Sequence, residues 1–246
     1  VSPRPLSAAD ESWARRAPAR GLRSLILRGV FRPLVAGYAR VEVTGLGTLA
    51  QQEGPVVFVA NHSSHVDTPI LLGAMDGRRR RRTLMAAAAD YFFVRRPLAV
   101  AVSLAFGAVP VRRHPGDGSS ALDPLQRLIA DGFSLVIYAE GTRSRDGRLG
   151  QLRSGAAALA VRAGVPLVPV HIAGTSALMG PGRGWMVRPS AGAHRHDVAV
   201  HFGEPLHPQP GDDLAVVMGA VRAFLESSAG EITAPQQAPR APAPIA

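Results

Sequence analysis

The sequence predicts an α/β protein with a mixed, largely parallel central sheet flanked by helices and preceded by an N-terminal amphipathic helical segment. Three observations lead there. Short runs of β-branched and aliphatic residues alternate with segments of helical periodicity along most of the chain. Gly, Pro and Asp stand at the junctions. Strand–helix alternation of this kind builds a sheet covered by helices. The 246 residues, 46% of them hydrophobic, suffice for one large or two small domains with a substantial core.

In chain order, residues 1–20 carry Pro, Arg and Ala without a clear period and are expected to be loosely ordered. Over residues 21–40, Leu22, Leu25, Ile26, Phe31, Leu34, Val35 and Tyr38 fit an apolar stripe at a period near 3.6, with Arg23, Arg28 and Arg32 off or beside it. Pro33 is expected to kink that helix. Arg40 to Thr44 alternates like a half-buried strand, and Val56 to Ala60 reads as a fully buried one. Asp67-Thr68-Pro69 looks like a helix start with Asp67 as N-cap. The charge-free run Pro97 to Val111 suits a buried helix followed by the strand Ala108 to Arg112. A helix from Asp123 leads into the strand Phe133 to Ala139. Ser154 opens a helix that Gly164 ends. The strand Val165 to Ile172 contains Pro166 and Pro169, which suit an edge or an irregular position. A strand at Val198 to Phe202 and a helix at Leu214 to Leu225 complete the pattern. The expected organisation is an N-terminal extension with a membrane-associating amphipathic helix (1–40), one domain (41–233), and a disordered Pro/Ala-rich tail (234–246).

The net charge is +10, and all 28 basic residues are arginine. Genome bias accounts for the missing lysine, because Ala, Gly, Pro, Arg and Val are over-used together; the excess charge still attracts anionic surfaces or substrates. The absence of cysteine excludes a disulfide framework and thiol catalysis. No run reaches the roughly 18 apolar residues of a membrane span, and no signal peptide is recognisable. The basic helix of residues 21–40 suits a membrane interface or packing on its own domain. The five-arginine run Arg78 to Arg82 would strengthen attraction to anionic lipid, although alone it reads as a solvated loop. An aromatic content of 5%, without aromatic–basic interleaving, argues against nucleic acid.

The chemistry concentrates at Asn61-His62-Ser63-Ser64-His65-Val66-Asp67, directly after a buried strand. Imidazole takes up a proton near neutral pH, and a carboxylate on its other nitrogen fixes the tautomer and stabilises the imidazolium. Five residues is a poor spacing for one helical face, so His62 and Asp67 meet only if the chain turns between them. Bland roles, a polar loop residue and a helix cap, remain open from these residues alone. His62, His65 and Asp67 match no established zinc spacing. A second constellation, Tyr138-Ala139-Glu140-Gly141-Thr142-Arg143-Ser144, follows a strand, where open α/β sheets place ligands. Gly141 admits close backbone approach; Arg143 forks onto phosphate, and Thr142 and Ser144 add hydroxyls. Read alone, it is also a plausible turn with a surface ion pair. A third element ends in Arg112-Arg113 after Gly107, and Val165 to Pro169 makes a fourth.

Together, the four elements resemble the glycerolipid acyltransferase family, whose best-known member converts lysophosphatidic acid into phosphatidic acid. Asn61, His62 and Asp67 match its Asn-His-x4-Asp block. Gly107 and Arg113 match its Gly-x-x-Phe-Ile-x-Arg block, with Pro110 in the aromatic position. Glu140 to Ser144 match its Phe-Pro-Glu-Gly-Thr-Arg-Ser block, with Tyr138-Ala139 replacing Phe-Pro, and Val165 to Pro169 match its Val-Pro-Ile-Val-Pro block. The resemblance covers about residues 40 to 205. It implies acyl transfer from an acyl-CoA or acyl-carrier-protein thioester to a hydroxyl of a phosphate-bearing lipid acceptor, foremost lysophosphatidic acid. His62 would be the general base, Asp67 its orienting partner, and Arg113, Glu140, Gly141, Thr142 and Arg143 the acceptor-binding residues. The Val-Pro block would shape the acyl and acceptor side of the site, and backbone donors near the Asp67 helix start would be available to the oxyanion. No metal or prosthetic group is implied. Family members bind membranes through N-terminal helices, which implies a peripheral or monotopic protein on the cytoplasmic side of the cell membrane.

Three rivals stand beside this reading. Glycerol 3-phosphate, a lyso-ornithine lipid or a glycolipid such as a mannosylated phosphoinositide would be alternative acceptors. A serine hydrolase using Ser63 or Ser64 lacks a Gly-x-Ser-x-Gly elbow. A non-catalytic basic binder of membrane or nucleic acid rests on net charge alone.

Overall fold

The computed structural model describes residues 12–111, 122–144, 148–180, 182–189 and 194–233. The expected tail and the first eleven residues of the extension lie outside them. Seven strands form one sheet in the order β1-β7-β6-β2-β5-β3-β4: β1 Ala39–Thr44, β2 Val57–Ala60, β3 Thr83–Ala88, β4 Ala108–Val111, β5 Ser134–Tyr138, β6 Leu167–Ala173 and β7 His196–Phe202. All neighbouring pairs are parallel except β6 with β7. Helices cover both faces: α1 Ala17–Ile26, α2 Arg32–Tyr38, α3 Leu46–Ala50, α4 Asp67–Ala74, α5 Gly77–Arg81, α6 Ala89–Phe92, α7 Arg96–Phe106, α8 Asp123–Ala130, α9 Gly155–Ala163, α10 Thr175–Met179 and α11 Leu214–Thr233. The mixed, largely parallel α/β architecture expected from the strand–helix alternation is the one observed.

Strand β2 lies at the centre of the sheet and every one of its residues is fully buried, as its unbroken apolar run requires of a strand covered on both faces. Phe58 and Ala60 join a core with Ile70, Leu71, Phe93 and Val136 on one face. Val57 and Val59 join Leu128, Leu135, Leu159 and Val221 on the other. Such burial stabilises by about 1.5–3 kcal/mol per large side chain, so two cores lock β2 and the loop at its carboxyl end.

Strand β3 was not legible in the sequence. Thr83-Leu84-Met85-Ala86-Ala87-Ala88 is rich in residues with weak strand preference, and pairing with β4 and β5 overrides that tendency. Strand β6 was expected at an edge or irregular position; it is central, between β2 and β7. Pro166 precedes the strand, and Pro169 is tolerated because regular pairing with β7 begins only at Val170, opposite Phe202, so its missing N–H falls in the irregular stretch that separates this pairing from the Leu167–Leu206 bridge.

The N-terminal helix departs from its expected stripe. A π-turn, Leu27–Phe31, separates α1 from α2, at the point where Pro33 withdraws an N–H and crowds the preceding turn. Arg23, expected beside the apolar stripe, is only 1% exposed, whereas Leu22 and Leu25 are 47% and 67% exposed. The guanidinium is accommodated because it donates to Ala14 O (2.7 Å), Ser103 O (3.0 Å) and Leu104 O (3.1 Å), the last two in the final turn of α7, where Ser103 O also accepts the Gly107 N–H. Burial lowers its pKa to about 10. Arg80 repeats the device. The arginine run, expected as a solvated loop, forms α5, capped by Asp76, and the buried Arg80 donates to Leu72 O and Met75 O at the end of α4. No helix among the described residues is long and apolar enough to cross a membrane.

Candidate active site

The carboxyl ends of β2 and β5, paired with Ala60 opposite Tyr138, bring the two motif loops side by side. Asn61 secures the first loop. Its side chain donates to Ile172 O and accepts from Ile172 N, both at 2.8 Å, continuing the ladder toward β6. The chain then turns, and His62 Nδ1 lies 2.8 Å from Asp67 Oδ2. The same oxygen accepts the N–H groups of Ser63 and Ser64, each at 2.8 Å. Asp67 was expected to cap its own helix; instead it is the first residue of α4, and its fully buried carboxylate closes the preceding turn. The amides of Ser63 and Ser64 are thereby engaged by Asp67.

An ionised carboxylate only accepts hydrogen bonds. Asp67 therefore places the imidazole proton on Nδ1 and leaves the lone pair on Nε2. Among the described residues its other oxygen, Oδ1, is buried without a hydrogen-bond partner, which leaves negative charge beside the ring for an imidazolium to offset. The His62 ring stacks on Tyr138, centroids 3.9 Å apart and planes 7° from parallel. The Tyr138 hydroxyl is 3.0 Å from Thr68 Oγ1. Burial, followed by the negative charge of Asp67, raises the Tyr138 phenol well above its ordinary value, so it stays protonated. Ser63 Oγ meets Thr175 Oγ1 at 2.9 Å, and Ser64 Oγ donates to Met179 O at 2.6 Å. Both serine hydroxyls are thus engaged away from the imidazole, as expected of structural groups.

Glu140, expected to touch the acceptor, turns its carboxylate to the backbone: Oε1 accepts from His62 N (3.1 Å) and Oε2 from Gly150 N (2.9 Å). The Ser144 N–H donates to His62 O at 2.8 Å. The Glu-Gly-Thr-Arg turn therefore clamps the histidine loop from both sides. Gly141 adopts φ +71° there, a conformation that favours glycine.

His62, Gly141, Thr142 and Arg143 line one largely apolar cavity of about 770 Å³ whose walls include Phe31, Met85, Phe106 and Trp185. His65 lines it as well; burial first, then the positive charge of Arg143, lowers its pKa from the ordinary value, so His65 is neutral at pH 7. Arg113 lies outside the described residues. Gly107, its motif partner, ends α7 at φ +66°, where a Cβ would sit 2.7 Å from Arg23 Nη1; its role visible here is to let the buried arginine pass. Residues 165–169 do not line the cavity, because the Val-Pro block is the start of β6 within the sheet. Sequence reasoning overlooked Tyr138 as a stacking partner, Thr68, and Arg153, which also lines the cavity. The only signal for Tyr138 was its place in the motif; Arg153 carried none.

The arrangement can withdraw a proton at Nε2 next to an apolar chamber with a guanidinium in its wall. Comparison with known proteins identifies the family. A chloroplastic 1-acyl-sn-glycerol-3-phosphate acyltransferase of Brassica napus is 32% identical over 179 residues, covering 71% of this chain and 47% of that protein. A 1-acyl-sn-glycerol-3-phosphate acyltransferase of Pseudomonas aeruginosa is 27% identical over 218 residues, covering 86% of this chain and 77% of that protein. The chain spans about half the length of the plant relatives it matches. The crystal structure of the 1-acyl-sn-glycerophosphate acyltransferase PlsC of Thermotoga maritima shares the fold, with TM-score 0.66 and 21% identity over 94% of this chain and 84% of that one. The model of the Acyltransferase family matches residues 40–173, which include both motif loops, and the chain belongs to that family.

Proposed function

We propose that the protein transfers a fatty acyl group from an acyl-CoA or acyl-carrier-protein thioester to the hydroxyl of a lysophospholipid, lysophosphatidic acid foremost, giving phosphatidic acid. The observation that carries this reading is the His62–Asp67 pair opening on an apolar cavity that Arg143 also lines. His62 Nε2 accepts the proton of the acceptor hydroxyl as its oxygen attacks the thioester carbonyl. Asp67 stabilises the imidazolium so formed. The tetrahedral intermediate collapses, the carbon–sulfur bond breaks, and the departing thiolate takes the proton back from Nε2. Proton transfer of this kind is worth roughly 10²–10⁴-fold, and holding the two substrates together supplies much of the rest.

Arg143 and Thr142 receive the acceptor phosphate, and the apolar walls hold acyl chains. Glu140 acts through the backbone of His62, as a positioning residue. A membrane-borne acceptor also explains the exposed apolar side chains Leu22 and Leu25 on α1 and Leu98 on α7, two helices that pack together amid arginines. That surface suits peripheral attachment to an anionic bilayer.

The test is acyl transfer to lysophosphatidic acid by the wild type and by His62→Ala, with glycerol 3-phosphate and lyso-ornithine lipid as competing acceptors. Turnover with lysophosphatidic acid that His62→Ala abolishes supports the proposal. Equal rates in the two proteins remove the base and the mechanism with it.

A further inference from the structure

Arg153 stands outside every motif of the sequence, yet it lines the cavity that contains His62 and Arg143. It also lines an adjoining basin of about 910 Å³, shared with Arg143, Arg148 and Arg222. Its position is built. The Arg153 N–H donates to Ala139 O at 2.9 Å, which fixes the residue beside the Glu140-Gly141 turn. The side chain then lies over Gly141: a Cβ on that glycine would sit 3.1 Å from Arg153 Nε and 3.6 Å from its Cζ. Glycine at 141 thus makes room for the guanidinium as well as for the turn.

Among the described residues, neither the Arg143 nor the Arg153 guanidinium has a hydrogen-bond or ion-pair partner, unlike Arg23 and Arg80. The one acidic residue among the described basin walls is Glu140, and both its oxygens are held by the N–H groups of His62 and Gly150. Among the described residues, two guanidinium forks without an ion-pair partner therefore line the same space beside the candidate base. Paired guanidinium groups suit a doubly charged phosphate, because each offers parallel donors to two oxygens.

We propose that Arg153 and Arg143 form a two-arginine clamp for a phosphate monoester dianion on the acceptor, making Arg153 a specificity-determining residue. This rests on the acyl-transfer reading and names the acceptor class within it. The reach agrees with an acceptor more than with the nucleotide end of a CoA donor. On a monoacylglycerol phosphate, the free hydroxyl and the phosphorus are about four bonds of roughly 1.5 Å apart, so an acceptor with its hydroxyl at His62 keeps its phosphate within the cavity that Arg143 and Arg153 also line. The nucleotide phosphates of CoA lie many more bonds from the thioester.

The test compares wild type, Arg153→Gln and Arg153→Lys with lysophosphatidic acid, lysophosphatidylcholine and monoacylglycerol as acceptors. The exposed Arg153 side chain makes no hydrogen bond among the described residues, so its replacement is expected to leave the fold intact, which thermal melting checks. For Arg153→Gln, KM for lysophosphatidic acid rises about 10- to 100-fold, the scale of a charge-assisted contact. KM for acyl-CoA stays unchanged, preference over the two other acceptors shrinks by the same factor, and Arg153→Lys recovers part of the loss. An unchanged acceptor KM, a rise in the KM for acyl-CoA instead, or an equal kcat loss with all three acceptors overturns the clamp. Should the wild type acylate none of them, the acyl-transfer reading fails. Quenching of Trp185, which lines the same cavity, by lysophosphatidic acid then decides the clamp alone: weaker binding by Arg153→Gln supports it, and equal binding overturns it.

Discussion

Glu140 holds His62 by its backbone: the carboxylate oxygen Oε1 accepts the His62 N–H at 3.1 Å while Oε2 accepts the Gly150 N–H at 2.9 Å. One buried side chain thereby fixes the position of the candidate base relative to the segment leading to Arg153. Replacement by glutamine keeps the shape but leaves one acceptor oxygen in place of two, so one backbone N–H loses its partner and the other contact loses its charge. Glu140→Gln is expected to lower stability by about 1.5–3 kcal/mol, the worth of a hydrogen bond to a charged group, read as a fall in the urea midpoint. Transfer activity drops mainly in kcat, because the affected group is the base rather than a substrate contact.

His62→Ala and Asp67→Asn are each expected to reduce acyl transfer by about 10²–10⁴-fold. The two groups act as one unit through the 2.8 Å contact, so the double variant is expected to be no slower than His62→Ala alone. Initial rates of the four proteins with saturating acyl-CoA check this; multiplicative losses would mean that Asp67 acts independently of the imidazole.

Tyr138 offers a separable pair of contributions. Tyr138→Phe preserves the ring stacked on His62 and removes only the hydroxyl near Thr68. It is expected to cost less than about tenfold in kcat, since a neutral hydrogen bond is worth about 1 kcal/mol. Tyr138→Ala removes the face that fixes the imidazole plane and is expected to cost more than Tyr138→Phe. Steady-state kinetics on both variants make the comparison.

Acid sensitivity has a site of its own away from the cavity. His171, buried on β6 opposite His201 on β7, has a pKa lowered to about 4 by burial and then by the neighbouring histidine. The unfolded chain binds a proton there below about 6.5 while the native state does not until near 4, so stability falls as pH drops through that window. From this group alone the loss is about 3 kcal/mol, at 1.36 kcal/mol per unit. Urea midpoints at pH 7, 5.5 and 4.5 measure it, and His171→Leu flattens the profile.

The sequence by itself determined the strand–helix alternation, the buried β2, and the pairing of a histidine with an aspartate five residues on, because each depends on local pattern or on a motif with few uses. It also placed Glu140 to Arg143 at a strand end. Only the tertiary structure decided that Thr83–Ala88 is a strand, since alanine-rich segments become strands when neighbouring strands supply the ladder. It likewise decided that Arg23 and Arg80 are buried, because the carbonyls that receive them belong to the ends of other helices. The same holds for Glu140, Tyr138 and Arg153. A sequence records which groups are present, but the direction of a carboxylate, the stacking of a ring or the seating of a guanidinium over a glycine depends on distances between residues far apart in the chain.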